Sequence, residues 1–229
     1  GVDSVVPPEN GIFLAETRRL NPQICSFISD KFYQGKLQPH ESTAKRKLIN
    51  KEGDNASDLS GIHLEQLNHQ SCSQKSLPEA EHISNLIKSI RSSCLIEIDG
   101  TPREIKDADF IVIAPFNAQV KLLKSNLDVS VRVGTVDKFQ GQEAAIALIS
   151  MTSSSGLDAP KGIDFLLNRN RLNVAISRAQ IACFVVCAEG LFGSKCNTVE
   201  QLSLLSTFTS LKRYSDETAT LPMPTNTNS

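Results

Sequence analysis

Apolar and polar positions along this chain fall into two kinds of block. "DFIVIAP" (109–115) and "ACFVVCA" (182–188) are continuous apolar runs of strand length, the pattern of a strand buried on both faces. "VRVGTV" (131–136) and "AIALISMT" (145–152) read as further strands, "GIHLEQL" (61–67) alternates as a strand does, and "GIFLAET" (11–17) is a shorter strand-like run. Between these runs the spacing is helical. In "NPQICSFISDKFYQG" (21–35), Ile24, Phe27, Ile28 and Phe32 line one face, Asn21 stands at the cap, Pro22 opens the first turn and Gly35 stops it. "LPEAEHISNLIKSIRSS" (77–93) carries acid early and base late, as the helix dipole favours. "NAQVKLLKSNL" (117–127) and the stretches through "FLLNRNRLNVAISRAQ" (165–180) and "VEQLSLLSTFTSLKRY" (199–214) complete the helices. Strands alternating with helices predict an α/β fold, a mostly parallel sheet with helices on both faces. Residues 36–60 are rich in Lys, Glu, Ser, Asn and Asp and read as a mobile surface loop. Residues 1–10 read as a linker from an upstream domain and 214–229 as a disordered tail, which leaves 11–213 as the domain.

Composition narrows this picture. With 229 residues, 40% of them hydrophobic, one large domain can bury a proper core. Charge is balanced, 24 basic against 25 acidic residues for a net of −1, so any nucleic-acid contact must come from a local surface. The six cysteines form no Cys-x-x-Cys pair, which predicts buried thiols in a reducing, cytoplasmic setting. Cys183 and Cys187 share a strand face but stand too far apart for a disulfide. No apolar stretch approaches membrane-spanning length, so no membrane partner is expected. The spacings of His63, His69, Cys72 and His82 match no usual metal pattern, and no metal site is expected among them.

"GTVDKFQGQE" (134–143) breaks the apolar pattern with a run of polar residues that a plain turn would not require. It joins two further polar clusters, Arg18-Arg19 and "NRNRLNVAISRAQ", at the boundaries of strands. Ligands of open parallel sheets lie beyond the carboxyl ends of the strands, so the three clusters are expected on one rim. Arg169, Arg171 and Arg178 read either as a solvated basic face or as an anion site; a guanidinium suits phosphate because its planar fork donates to two oxygens and keeps its charge.

Taken in order, "ETRRLNPQICSFISDKFYQGKL", "IAPFNAQV", "GTVDKFQGQEA" and "RLNVAISRA" resemble motif IV, the Pro-aromatic segment, motif V and motif VI of superfamily 1B helicases of the Up-frameshift group. The wording is nearest to bacterial members fused to a RecB-like nuclease, and the likeness covers about residues 11 to 190. The resemblance implies a RecA-like, P-loop NTPase-type fold. It also implies that this is the second of two such domains, because the chain has no G-x-x-x-x-G-K-[ST] and no Asp-Glu pair after an apolar strand. Alone, the chain is then expected not to hydrolyse ATP.

By position, the resemblance implies that Arg19 and Arg178 reach the γ-phosphate of ATP and that Glu143 accepts from a ribose hydroxyl, with Gly141 and Gln142 beside it. Thr135 is implied to contact a nucleic-acid phosphate, with Asp137 and Gln140 linking the two ends of motif V. Phe116 is a candidate for stacking on a base, beside Asn117, and equally a candidate core aromatic. Arg18 stands where relatives often have Tyr, and Phe116 lacks the hydroxyl of the usual Tyr. The implied cofactor is ATP with Mg²⁺ held mainly by the upstream RecA-like domain. The implied partners are that domain, single-stranded nucleic acid with DNA favoured over RNA, and a RecB-like nuclease domain in the same chain. The competing reading is a RecA-like nucleic-acid-binding scaffold without motor activity.

Overall fold

The computed structural model describes residues 13–52 and 55–219. The expected linker 1–10, the start of the 11–17 run and residues 220–229 of the expected tail lie outside them. In chain order the elements are β1 (Glu16–Thr17), α1 (Pro22–Phe32), β2 (Gln38–Pro39), β3 (Lys47–Glu52), β4 (Asn55–Asp58), β5 (Gly61–Leu67), α2 (Leu77–Ile90), β6 (Cys94–Ile96), β7 (Pro102–Glu104), β8 (Phe110–Ile113), α3 (Asn117–Asn126), β9 (Arg132–Gly134), β10 (Ala144–Ser150), α4 (Gly162–Leu166), α5 (Arg169–Ile176), β11 (Ala179–Ala188) and α6 (Val199–Ala219).

Five strands form a wholly parallel sheet in the order β5-β11-β10-β8-β9. The apolar runs are buried on both faces, and the period of two is visible in how they divide. Ile111, Ile113, Ala147, Ile149, Cys183 and Val185 face one core, which α1, α5 and α6 cover with Ile24, Phe27, Ile176 and Phe208. Phe110, Val112, Ile146, Leu148, Phe184 and Val186 face the other, covered by α2 and α3 through Ile83, Ile87 and Leu123. Each of these residues is thus committed to one of two dry layers, so a one-residue slip would exchange the layers. Cys183 and Cys187 share the first layer as free thiols, and burial pushes both up from their ordinary titration range. No helix among the described residues is long and apolar enough to cross a membrane.

Residues 36–60 are not a loop. They form β2, a short 3-10 turn at Glu41–Lys45, β3 and β4. β3 pairs antiparallel with β4 and β6, and β6 with β7, making a four-stranded sheet in the order β4-β3-β6-β7. The polar composition hid a fully buried apolar residue, Leu48, which packs with Leu95 in the second core. The β6–β7 turn uses Asp99-Gly100, with Gly100 at φ +88° and the Asp99 carboxylate accepting from the Thr101 N–H at 2.9 Å. The helix expected through 165–180 is two helices, because Asn168 turns out of α4 and caps α5 by accepting from the Arg171 N–H at 3.1 Å. α6 runs to Ala219, past the expected start of the tail at 214, since Leu211 and Ser215 are buried and hold its last turns.

At the carboxyl end of β10 a buried polar network joins β10, α2, α3 and the segment that carries His69. The Glu79 carboxylate accepts from the Ser150 hydroxyl at 2.5 Å and the Thr152 N–H at 2.8 Å, and lies 3.0 Å from the His69 ring. His69 reaches Ser154 at 2.8 Å on its other side, and Gln119 of α3 donates to Ser150 at 3.1 Å.

Candidate functional site

β10 and β11 run side by side, with Ala144 opposite Ala179. That register sets Glu143 and Arg178, the residues just before them, together at the amino ends of the two strands. The Ala144 N–H donates to the Arg178 carbonyl at 3.0 Å and fixes the pair. Arg19 comes from the bend after β1, and its guanidinium forms a close ion pair with Glu143. Gln180 donates to the other oxygen of Glu143 at 2.7 Å. Glu143 remains exposed, so its carboxylate is positioned by partners without being sealed by them. Gln180 was not singled out from the sequence, although it sits two residues past the motif VI arginine.

Arg178 is only 8% exposed. Its Nε donates to the Val174 carbonyl at 3.0 Å, and its Nη1 to the carbonyls of Phe139 at 3.2 Å and Gln142 at 3.0 Å. Nη2 makes one long contact, 3.4 Å to the Ser177 hydroxyl. Burial lowers the Arg178 pKa below the ordinary guanidinium range, the nearby charge of Arg19 lowers it further, and Glu143 opposes both. Arg19 pairs with the carboxylate, while Arg178 feels its charge without touching it. The arrangement carries an excess positive charge that an anion would relieve.

The expected single rim is not what the fold makes. Thr135 follows β9 and Pro115-Phe116-Asn117 follow β8, so these residues stand at the carboxyl ends of strands that run parallel to β10 and β11. Gly134 is level with Ile113, and Ile113 with Ile149, near the end of β10. The seven residues of β10 span six steps between the two ends, about 20 Å at 3.3 Å per residue. The reason is topological: "GTVDKFQGQE" is the return path from the carboxyl end of one strand to the amino end of the next. Gly141, at φ +79° and with open space around its missing Cβ, supplies the left-handed turn before the chain enters β10. Gln142 is exposed, and its carbonyl holds Arg178. Asp137 does not bridge to the Gln140 side chain; its carboxylate lies 3.3 Å from Arg171, while the Gln140 N–H donates to the Asp137 carbonyl at 3.3 Å.

Phe116 belongs to the core. It is 6% exposed and stacks on Phe165 with centroids 5.7 Å apart, so its ring offers no open face to a base. Asn117 beside it is exposed at the start of α3. The exposed character at this end comes instead from Phe165, half-buried, with Arg171 at 4.3 Å and Lys161 at 4.6 Å from its ring centroid. A cavity of about 30 Å³ beside it is lined by Pro115, Val136, Met151 and Phe165. The three arginines of the basic stretch separate: Arg169 donates to the Lys31 carbonyl, Arg171 stays at the carboxyl end and Arg178 at the amino end. Arg18 is exposed near Glu16 at 3.7 Å.

The histidines do not converge on Cys72. His63 stacks on Phe184, His69 joins the Glu79 network, and His82 lies 3.4 Å from Glu65. Among the described residues no group of three or more His, Cys, Asp or Glu could hold a metal ion, and the one exposed carboxylate at the arginine site is already paired. The described residues at the arginine site do not fit a Mg²⁺ site.

Residues 4–190 match the family described as AAA domain. The chain is 30% identical over 180 residues to the DNA polymerase alpha-associated DNA helicase A of Schizosaccharomyces pombe, covering 72% of this chain and 26% of that protein. It is 27% identical over 184 residues to the DNA-binding protein SMUBP-2 of Rattus norvegicus, covering 76% and 18% respectively. It is 28% identical over 185 residues to the DNA replication ATP-dependent helicase/nuclease DNA2 of Xenopus tropicalis, covering 71% and 17%. The chain spans about a quarter or less of the length of these curated relatives.

Proposed function

The chain belongs to the AAA-domain family within the superfamily 1 helicases, and from that premise we propose that it is the second, C-terminal RecA-like motor domain of an ATP-dependent helicase. The observation that carries the reading is the meeting of Arg19, Glu143 and Arg178, from three distant parts of the chain, at the amino ends of β10 and β11. A nucleotide held by a P-loop on the upstream domain would face this edge. Water would attack the γ-phosphorus as the bond to the β–γ bridging oxygen breaks, giving ADP and phosphate with one proton of the water passing to solvent. Arg19 and Arg178 offset the charge gathering on the transferring group, and Glu143 accepts from a ribose hydroxyl once ATP competes for Arg19.

The carboxyl-end surface is the proposed track. The Thr135 hydroxyl and the exposed Asn117 contact the strand, and Arg171 and Lys161 add cations near the phosphates. Phe116 is buried and takes no part in it. The link between the ends is physical: the segment that begins at Thr135 ends in the carbonyls of Phe139 and Gln142 that hold Arg178. A shift of that segment on strand binding moves the arginine. DNA is proposed over RNA because the relatives named above carry DNA in their names. A nuclease domain on the same polypeptide, as the Xenopus relative's name describes, and action in the cytoplasm complete the proposal.

The test is ATP turnover by the protein that joins this domain to its phosphate-binding partner. Arg178→Ala should lower kcat by roughly 10³-fold or more, the scale of an arginine finger, while ATP binding persists. Turnover at the parent rate would overturn the assignment.

A further inference from the structure

We propose that Arg46, in the segment that composition marks as a loop, is a positioning residue for Arg19; the inference rests on the motor reading above. Residues 18–20 form a bend with no regular pairing of their own. Arg46 Nη1 donates to the Arg19 carbonyl at 2.9 Å and lies 3.4 Å from the Arg18 carbonyl. In return its own carbonyl accepts from the Asn21 amide at 3.2 Å. Asn21 is 5% exposed, caps α1 through the Gln23 N–H at 2.9 Å, and donates its N–H to the Gln180 carbonyl of β11 at 2.8 Å. The bend carrying Arg19 is thereby clamped between β11 on one side and Arg46 on the other.

Arg46 is itself anchored on both sides. Before it, the 3-10 turn at Glu41–Lys45 is held by the fully buried Thr43, whose hydroxyl donates to the His40 carbonyl at 2.8 Å, while the His40 N–H donates to the Thr17 carbonyl at 2.9 Å. After it, buried Leu48 fixes β3, its N–H donating to the Ser60 hydroxyl at 3.0 Å. Both carbonyls are reached from the one nitrogen, Nη1, and the planar guanidinium holds that donor in a fixed direction. The antiparallel sheet thus serves as a buttress, and Arg46 is the point where it touches the catalytic edge. A misplaced Arg19 would meet the transferring phosphoryl group poorly while leaving ATP binding, which the upstream domain dominates, nearly intact.

The experiment is a double-mutant cycle on ATP turnover in the protein joined to its phosphate-binding domain: Arg46→Ala, Arg19→Ala and both together. Arg46→Ala is expected to lower kcat roughly 10- to 100-fold, the scale of an ångström misplacement, with KM for ATP unchanged. The double variant should be no slower than Arg19→Ala, because Arg46 acts through Arg19. Arg46→Met, which keeps the apolar stem, should show the same kcat loss with an unchanged melting temperature. Independent, additive losses, or a slow Arg19→Ala beside a fully active Arg46→Ala, would overturn the role of Arg46. An Arg19→Ala variant as fast as the parent would instead sink the motor reading itself.

Discussion

Phe116 shows how differently one residue type can be used. An aromatic after a proline at a strand end is a credible stacking platform, yet Phe116 buries its ring against Phe165. Residue identity cannot decide between these roles, because the outcome depends on α4, which packs there from a distant part of the chain. Phe116→Ala should destabilise the fold by about 3–5 kcal/mol, the usual scale for emptying a buried aromatic site, as read by denaturant unfolding. Phe116→Leu should leave affinity for single-stranded DNA unchanged, and a clear loss of affinity there would restore the stacking role. Arg178 was legible from its motif and Glu143 likewise. What the motif could not convey is that Arg178 is tied to the carbonyls of Phe139 and Gln142, since backbone partners leave no sequence signature. The same holds for Arg46, whose acceptors are also carbonyls.

At the scale of elements, continuous apolar runs identified the parallel strands, and N-caps and prolines located the starts of α1 and α2. The second sheet escaped notice because each of its strands contributes few buried side chains. Leu48, Leu95 and Cys94 are its buried apolar residues among those described, and the Asp-Gly pair at 99–100 was the readable signal for its hairpin. The Glu79 network was equally invisible, since its members are spread from His69 to Ser154. It ties α2 and the 68–76 segment to the exit of β10, where Thr152 adopts φ +70°. Removing the carboxylate leaves buried donors without a partner, so Glu79→Ala should cost about 3–5 kcal/mol, measurable as a lowered urea midpoint. A midpoint equal to the parent's would show the network to be dispensable. β5 supplies a pH test. His63, stacked on Phe184 with its ring 2.8 Å from the Leu59 carbonyl, is held below its ordinary pKa by burial, against the raising effect of that hydrogen bond and of Glu65 and Asp58. The unfolded chain then binds a proton that the folded one refuses. The stability tied to His63 is full above about pH 6.5 and declines as pH falls through the window below it. His63→Gln should flatten the stability profile in that window alone, and an unaltered profile would remove His63 as its cause.

For the whole molecule, a net charge of −1 hides two distinct polar surfaces at opposite ends of one sheet. Paired arginines and a glutamate sit at the amino ends of β10 and β11, and a threonine with aromatic-stacked cations sits at the carboxyl ends of β8 and β9. The residues for both were legible, but their separation was not. The rule that ligands gather at carboxyl ends placed them together, and only the strand directions showed that residues 134–143 cross the depth of the sheet. The account therefore stands on communication along that crossing. The most direct test is steady-state ATP turnover, with and without single-stranded DNA, by the two-domain protein carrying Thr135→Val, which removes the hydroxyl at constant shape. The account predicts a parent-like rate without DNA and no acceleration on its addition. Full acceleration by DNA in that variant would contradict it.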